Sequence, residues 1–334
     1  MDINQDKTLT AFCPLGLSNR LRVLLSGLAL AEAAGRRFTM LWPITPACAA
    51  PFADLFANDW PVQTVDAAAL KDLSYVSGWF GELPDLLIDH NPHLVIGHPS
   101  WLIRPGQFSA HDRLLDRCRS LLAGLQPAIP IQQVVSEFRQ CHFRPTMIGV
   151  HLRRGDFLRE RPDTANNTLQ AFAMISRFLD ESPDAGILLC SDDGAPDPKN
   201  GRPTQGEGVY AKFAARYGAR VISPMQRSGD RSSTLAIQDA LSEFYLLRSC
   251  NYFVGTVGSS FSEMVVFGQD LPHTLVAGAT PLYAALEYLA RWTGLYRLLA
   301  KLGQKRTGNI LPFPVLLRYY KKRPLIWLRR NWPG

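Results

Sequence analysis

"IGVHLRRGDF", residues 148–157, starts as a short apolar run and then sets His151, Arg153, Arg154 and Asp156 within six positions. Ile148, Gly149 and Val150 read as a strand covered on both faces, the kind found inside a parallel sheet. Charge emerging at the carboxyl end of such a strand is what a ligand crevice in an open α/β sheet requires.

Outward from this stretch the same alternation continues. After it come a helix near 168–180, a strand "GILLCSD" (186–192), a helix "GVYAKFAARYG" (208–218) and a strand "ARVIS" (219–223). A long helix over 233–250 places Ile237, Ala240, Leu241, Phe244 and Leu247 on one stripe, and strand 252–257 and helix 259–268 follow. Toward the N-terminus, "LTAFCP" (9–14), "NRLRVLLSGLALAEAAG" (19–35) and "RFTMLW" (37–42) form a βαβ unit, with Gly35 suited to end the helix. Residues 43–145 give a weaker pattern. Pro43, Pro46, Pro51 and Pro61 interrupt it, 111–125 reads as an amphipathic helix, and Pro127, Pro130 and Pro145 bracket an expected interdomain connection.

A chain of 334 residues exceeds one ordinary core. The expected organisation is an N-terminal α/β domain over 1–145, a second over 146–285, and a tail over 286–334. The net charge of +7 belongs to that tail. From Arg291 onward there are eleven Lys or Arg and no acid, which leaves 25 basic against 29 acidic residues before it. Clustered basic groups beside Leu, Tyr and Trp in "LPFPVLLRYYKKRPLIWLRRNWPG" (311–334) suit an anionic membrane surface, whereas the acidic body opposes nucleic acid. No run approaches the length needed to span a bilayer, and the polar, acidic start lacks the pattern of a secretory signal, so a cytosolic protein is expected. The six cysteines are scattered, without metal-ligand spacing, and read as reduced core residues.

Three constellations carry chemistry. Arg153 and Arg154 suit a doubly charged phosphate; on an extended segment they point opposite ways, so one braces a loop while the other meets ligand. Arg153 paired with Asp156 is the plainer alternative. In "NYFVGTVGSSFSEM" (251–264), Gly255 and Gly258 permit a close turn, and Ser259 and Ser260 open a helix whose amides favour an anion, or Ser259 simply caps it. In "PLGLSNRLR" (14–22), Gly16 leads into a helix starting with Asn19 and Arg20, for which Ser18 is the expected cap. Asp192 and Asp193 diverge on their strand end and lack a third ligand, so a cap or loop brace is expected rather than a metal site.

In this order the motifs resemble the fucosyltransferase superfamily that includes the core α1,6-fucosyltransferases, Nod-factor fucosyltransferases and protein O-fucosyltransferases. His151 to Asp156 is similar to its H-x-R-R-x-D donor signature, 241–261 to the segment ending in Ser-Ser-Phe, "ILLCSDD" to its short acidic strand, and 16–38 to its Gly-x-Asn-Gln helix, with Arg20 in place of Gln. The resemblance covers roughly 10–42 and 146–268. It implies a GT-B fold, two Rossmann-like domains facing a cleft, and transfer of fucose from GDP-fucose with inversion, needing neither cofactor nor metal. It further implies donor binding by Gly16, His151, Arg153, Arg154, Asp192, Ser259, Ser260 and Phe261, with Glu243 on the guanine edge in place of the usual Asp. Arg154 would stabilise the leaving diphosphate, Asn19 lies in the catalytic region, and Glu160 or Asp156 is the candidate base. The expected partners are a nucleotide-sugar donor, a saccharide or lipid-linked saccharide acceptor, and an anionic membrane. A GT-B transferase using another nucleotide sugar, or a nucleotide-sugar-binding protein without catalysis, stays open at this level.

Overall fold

The computed structural model describes residues 7–71, 73–77, 85–104, 109–154, 167–192, 208–224 and 232–276. Its first half begins with β1 (Thr8–Phe12), α1 (Leu17–Ala33) and β2 (Arg37–Ile44). Gly35 ends the α1 connection at φ 62°, a conformation that costs other residues steric strain. Gly27, midway along α1, faces Phe38, and a Cβ there would fall 2.4 Å from its ring. The missing side chain is what lets the helix lie so close to β2. Then come β3 (Val62–Asp66), β4 (Val76–Ser77) and β5 (His93–Gly97), and the sheet takes the order β3-β2-β1-β5-β4 with every pairing parallel.

Two helices follow, α2 (Ser109–Ala123) and α3 (Ile129–His142). The second replaces the irregular connection expected between Pro127 and Pro145. Pro130 lies in its first turn, where a missing N–H costs no helical bond, so this proline starts a helix rather than breaking one.

The second half contains β6 (Met147–Leu152), α4 (Asn167–Glu181), β7 (Gly186–Ser191), α5 (Val209–Tyr217), β8 (Val221–Ile222), α6 (Thr234–Arg248), β9 (Tyr252–Thr256), α7 (Ser260–Val266) and β10 (His273–Val276). Their parallel sheet has the order β10-β9-β6-β7-β8. The expected strand at 219–223 shrinks to two residues behind a tight turn at Gly218–Arg220. Every residue of β6 and β7 is buried, because helices cover both faces. Ile148, Val150, Ile187 and Leu189 pack with Ala171, Ile175 and Phe213, whereas Met147, Leu188 and Cys190 pack toward Leu241, Phe244 and Met264. That second cluster runs without interruption into the first sheet's core, through α3 against α6 and α1 against α7.

Each sheet has a central strand flanked on opposite sides by later strands, β1 between β2 and β5, and β6 between β7 and β9. At such switch points the outgoing loops part and leave a crevice beyond the carboxyl ends. The described cysteines are unbridged, five of them buried, and burial pushes the Cys13 thiol up to about 11 and those of Cys118 and Cys250 up to about 12. No described helix is long and apolar enough to cross a membrane.

Candidate functional site

The charged stretch leaves β6 at the second sheet's switch point. Arg153 and Arg154 take separate partners, as alternation along an extended segment dictates. Arg153 donates from its guanidinium to one oxygen of Asp192, and the backbone N–H of Arg154 donates to the other oxygen at 2.6 Å. Asp192 therefore braces the two strand ends, β6 and β7, against each other. Arg154 is buried, and its guanidinium donates to the Thr168 hydroxyl at the start of α4. One arginine ties the β6 end to Asp192 while the other turns inward to the start of α4.

Thr256, the last residue of β9, ties this loop to the next. Its hydroxyl donates to the His151 carbonyl at 3.1 Å and accepts the Arg153 amide at 2.9 Å. Its own N–H donates to the Ser262 hydroxyl at 3.0 Å, and that hydroxyl meets His151 Nδ1 at 2.7 Å. The buried His151 ring lies 4.6 Å from Phe261, centroid to centroid, and Phe261 meets Phe244 at 6.0 Å. His151 thus orients Phe261 and the turn that precedes it.

In that turn Gly258 has φ 75°, which explains a glycine there. Gly255 does not serve the turn. It lies inside β9, where a Cβ would come within 2.5 Å of the Phe253 ring and 2.8 Å of Leu275. The Ser259 hydroxyl caps α7 by accepting the Ser262 N–H at 3.4 Å, and the Ser259 N–H itself donates to the Thr256 carbonyl at 3.2 Å. The helix ends at Val266, and Gly268, at φ 75°, turns the chain toward β10.

Glu243 is buried on α6, one turn after the equally buried Asp239. Burial, and secondarily the Glu243 charge, push the Cys190 thiol and the Tyr210 hydroxyl upward. Its charge is felt at the carboxyl end of β7, where the Tyr210 hydroxyl accepts from Ser191 N–H at 3.0 Å. A carboxylate there can accept two hydrogen bonds from one edge of a base.

On the first sheet, Gly16 rather than Ser18 occupies the cap position of α1, and no side chain bonds the helix start. A Cβ on Gly16 would make only ordinary contact, 3.6 Å from the Ala47 carbonyl. Arg20 is fully buried and holds the loops beyond β1 and β2 together. It donates to Leu15 O at 2.7 Å, Pro43 O at 2.5 Å and Thr45 Oγ1 at 2.8 Å, with its guanidinium 5.0 Å from the Trp42 ring centroid. Burial lowers its pKa. Asn19 is half-buried on the same first turn, so Arg20 fixes the frame from which it projects.

Contacts across the two halves involve residues that the sequence did not single out. Arg22 reaches from α1 to Ser260 O at 3.3 Å and Glu263 Oε2 at 2.7 Å. His98 follows β5 at the first sheet's switch point and is only 5% exposed, with its Nδ1 2.9 Å from Ser100 O and 3.1 Å from Ser100 N. A neutral ring makes one of these bonds at a time, and the shorter favours a proton on Nδ1. Its Nε2 is buried without a hydrogen-bond partner. Burial lowers the His98 pKa, and the Arg104 charge adds to that. The polar residues at the ends of "VGTVGSSF" and "VIGHPSW" were the available signals for Thr256 and His98.

The structure thus gathers His151, Arg153, Arg154, Asp192, Ser259, Ser260 and Phe261 around one switch point, with Glu243 beside it. Gly16 and Asn19 stand at the other switch point, joined to the first through Arg22. Asp156, Glu160, Asp193 and the basic tail lie outside the described residues. Among the described residues no group of three or more His, Cys, Asp or Glu is placed to hold a metal ion. The arrangement offers the buried Arg154 guanidinium, a second guanidinium held nearby by Asp192, hydroxyls and a buried carboxylate, groups of the kind that bind an anion and a base.

No protein-family model and no curated protein matches this chain. Among solved structures it is similar to POFUT1 in complex with GDP-fucose, with a TM-score of 0.53 and 13% identity over 83% of this chain and 99% of that one. It is similar to POFUT1 in complex with GDP at TM-score 0.50 and 15% identity, over 82% and 99% of the two chains. Fucosyltransferase NodZ from Bradyrhizobium aligns at 0.49 and 14% identity over 80% and 92%. The likeness to POFUT1 shows the fold: GT-B, two Rossmann-like halves with parallel sheets.

Proposed function

We propose that this chain is an inverting glycosyltransferase that moves fucose from GDP-fucose to a hydroxyl of a saccharide acceptor, with no cofactor and no metal ion. The observation that carries this reading is the Arg153–Arg154 pair at the second switch point, one guanidinium held by Asp192 and the other beside Thr168. The POFUT1 structure of the same fold holds GDP-fucose, which supports that choice of donor.

The chemistry follows from charge. As the bond between the sugar's anomeric carbon and the β-phosphate oxygen breaks, negative charge grows on departing GDP and positive charge on the ring. Arg154 stabilises that leaving group, with the Arg153 charge and the Ser260 hydroxyl adding to the field. Preorganised donors of this kind are worth about 3–4 kcal/mol each. Glu243 accepts from the guanine edge, and Phe261 flanks the diphosphate. The acceptor oxygen attacks the opposite face of the sugar from the side of Asn19 and gives its proton to a base, for which Glu160 and Asp156 are the candidates. The basic tail holds the enzyme on an anionic membrane, where it meets a lipid-linked acceptor of a bacterial surface glycan.

A donor screen without acceptor, reading released nucleotide in the presence and absence of chelator, tests the reading. GDP-fucose hydrolysed in preference to UDP- or other GDP-sugars, at equal rate with chelator, is expected, and Arg154→Ala should lower turnover more than a hundredfold. Preference for another donor, or silence toward all, refutes the assignment. For the tail, loss of co-sedimentation with anionic liposomes on deleting 311–334 is expected.

A further inference from the structure

Arg22 belongs to the first half of the molecule, yet its guanidinium ends on the second half's phosphate-side turn. It donates to the carbonyl of Ser260 and to the carboxylate of Glu263, 238 and 241 residues away. The two partners are unequally exposed. The Arg22 side chain is 9% exposed and that of Glu263 is 43% exposed. A mostly exposed ion pair contributes little to stability, but a nearly buried guanidinium is costly without a partner. The pair is therefore asymmetric: Arg22 needs Glu263 more than Glu263 needs Arg22.

Surrounding contacts hold Arg22 in place. Its guanidinium lies 6.0 Å from the Trp101 ring centroid, and Trp101 meets Phe267 at 4.7 Å, so α1, the segment beyond β5 and α7 converge there. Asn19 stands three residues before Arg22 on α1, which places both on one face of that helix. The residue assigned to the acceptor side and the one that touches Ser260 are thus set by the same turn of helix.

Glu263 creates an electrostatic problem for an anionic ligand. Its carboxylate sits in the first turn of α7, four residues after Ser259 and three after Ser260. Unbalanced, that charge repels a diphosphate bound at the turn. We propose that Arg22 is a positioning residue for the donor: it cancels the Glu263 charge and fixes the Ser260 carbonyl, so the first half sets the second half's affinity for a nucleoside diphosphate. This deepens the reading given above and rests on it. Arg22 acts through Glu263 and Ser260, not by touching the reacting atoms.

The test compares GDP with guanosine, which carries the same base without phosphate. Calorimetric titration of the full chain with GDP, and competition with guanosine, are run for wild type, Arg22→Gln, Glu263→Gln and the double variant at low salt. Arg22→Gln should weaken GDP binding about five- to tenfold and leave guanosine within twofold. Adding Glu263→Gln should recover most of the loss, and Glu263→Gln alone should tighten GDP. Should Arg22→Gln fold poorly, Arg22→Lys and Glu263→Gln carry the same test, the first retaining GDP affinity and the second raising it. GDP affinity unchanged in Arg22→Gln, equal losses for GDP and guanosine, or a Glu263→Gln protein that binds GDP no more tightly overturns the proposal. Wild-type protein that ignores GDP instead refutes the donor assignment itself, so the two failures are distinct.

Discussion

Removing the Asp192 carboxylate should cost the protein about 2–3 kcal/mol of stability, and the structure sets that figure. One oxygen accepts from the Arg153 guanidinium and the other accepts the Arg154 N–H at 2.6 Å. Breaking a fully buried pair by deleting one partner costs about 3–5 kcal/mol, and an exposed pair is worth about 0–1 kcal/mol. Here the Arg153 side chain is 21% exposed and that of Asp192 is 16% exposed, which places Asp192→Ala toward the buried limit. Asp192→Asn keeps an acceptor for the amide but loses the charge, so about half that cost is expected. Guanidinium unfolding would mix denaturation with screening; urea unfolding followed by circular dichroism avoids this, and the midpoint should fall at unchanged slope. Because the pair is mostly shielded from water, the difference should persist at high salt. A loss below 0.5 kcal/mol for Asp192→Ala, or one abolished by salt, would mean that the pair is a solvated surface contact and that Arg153 is not held.

Two further outcomes probe the scaffold beneath the site. Gly27→Ala puts a Cβ 2.4 Å from the buried Phe38 ring, so α1 must lift from β2; a loss of about 1–3 kcal/mol in the same unfolding assay is expected, and an unchanged midpoint refutes the close approach. His98 has a lowered pKa, so below its ordinary value of about 6.5 the unfolded chain binds more protons than the folded one. Stability should therefore decline as pH falls from about 6.5 toward the lowered folded pKa, at up to about 1.4 kcal/mol per pH unit, and His98→Gln should flatten that limb. Identical pH profiles for the two proteins would show that His98 is not resisting protonation.

Much of the fold was legible because both halves contain strands buried on two faces. "MIGVHL" and "GILLCS" read as continuous apolar runs, and the apolar spacing of α1 and α6 marked both as helices, although the structure buries them on more than one face. The stretch 43–145 resisted for a physical reason. β3 is "VQTVD" with three exposed positions, β4 is two residues long, and neither shows an alternation that burial would impose. α3 was hidden by its proline, although a proline in a first turn favours a helix. At the site, the order of the charged and serine motifs marked the second switch point, and the divergence of Arg153 from Arg154 followed from strand geometry alone. Arg22 was not legible, and Arg20 and Thr256 could be marked by position but not by role, because what they do consists of contacts with distant loops that no local spacing encodes. Gly255 was misread for a related reason: a glycine needed for packing looks the same in sequence as one needed for a turn.

The most direct measurement is a calorimetric titration of GDP into wild-type and Arg154→Ala protein in buffer containing EDTA. Guanidinium groups that grip the diphosphate by themselves predict undiminished binding by wild type and binding about a hundredfold weaker in the variant. Wild-type affinity that emerges only when a divalent cation is restored, or a variant that binds as tightly as wild type, would contradict the account.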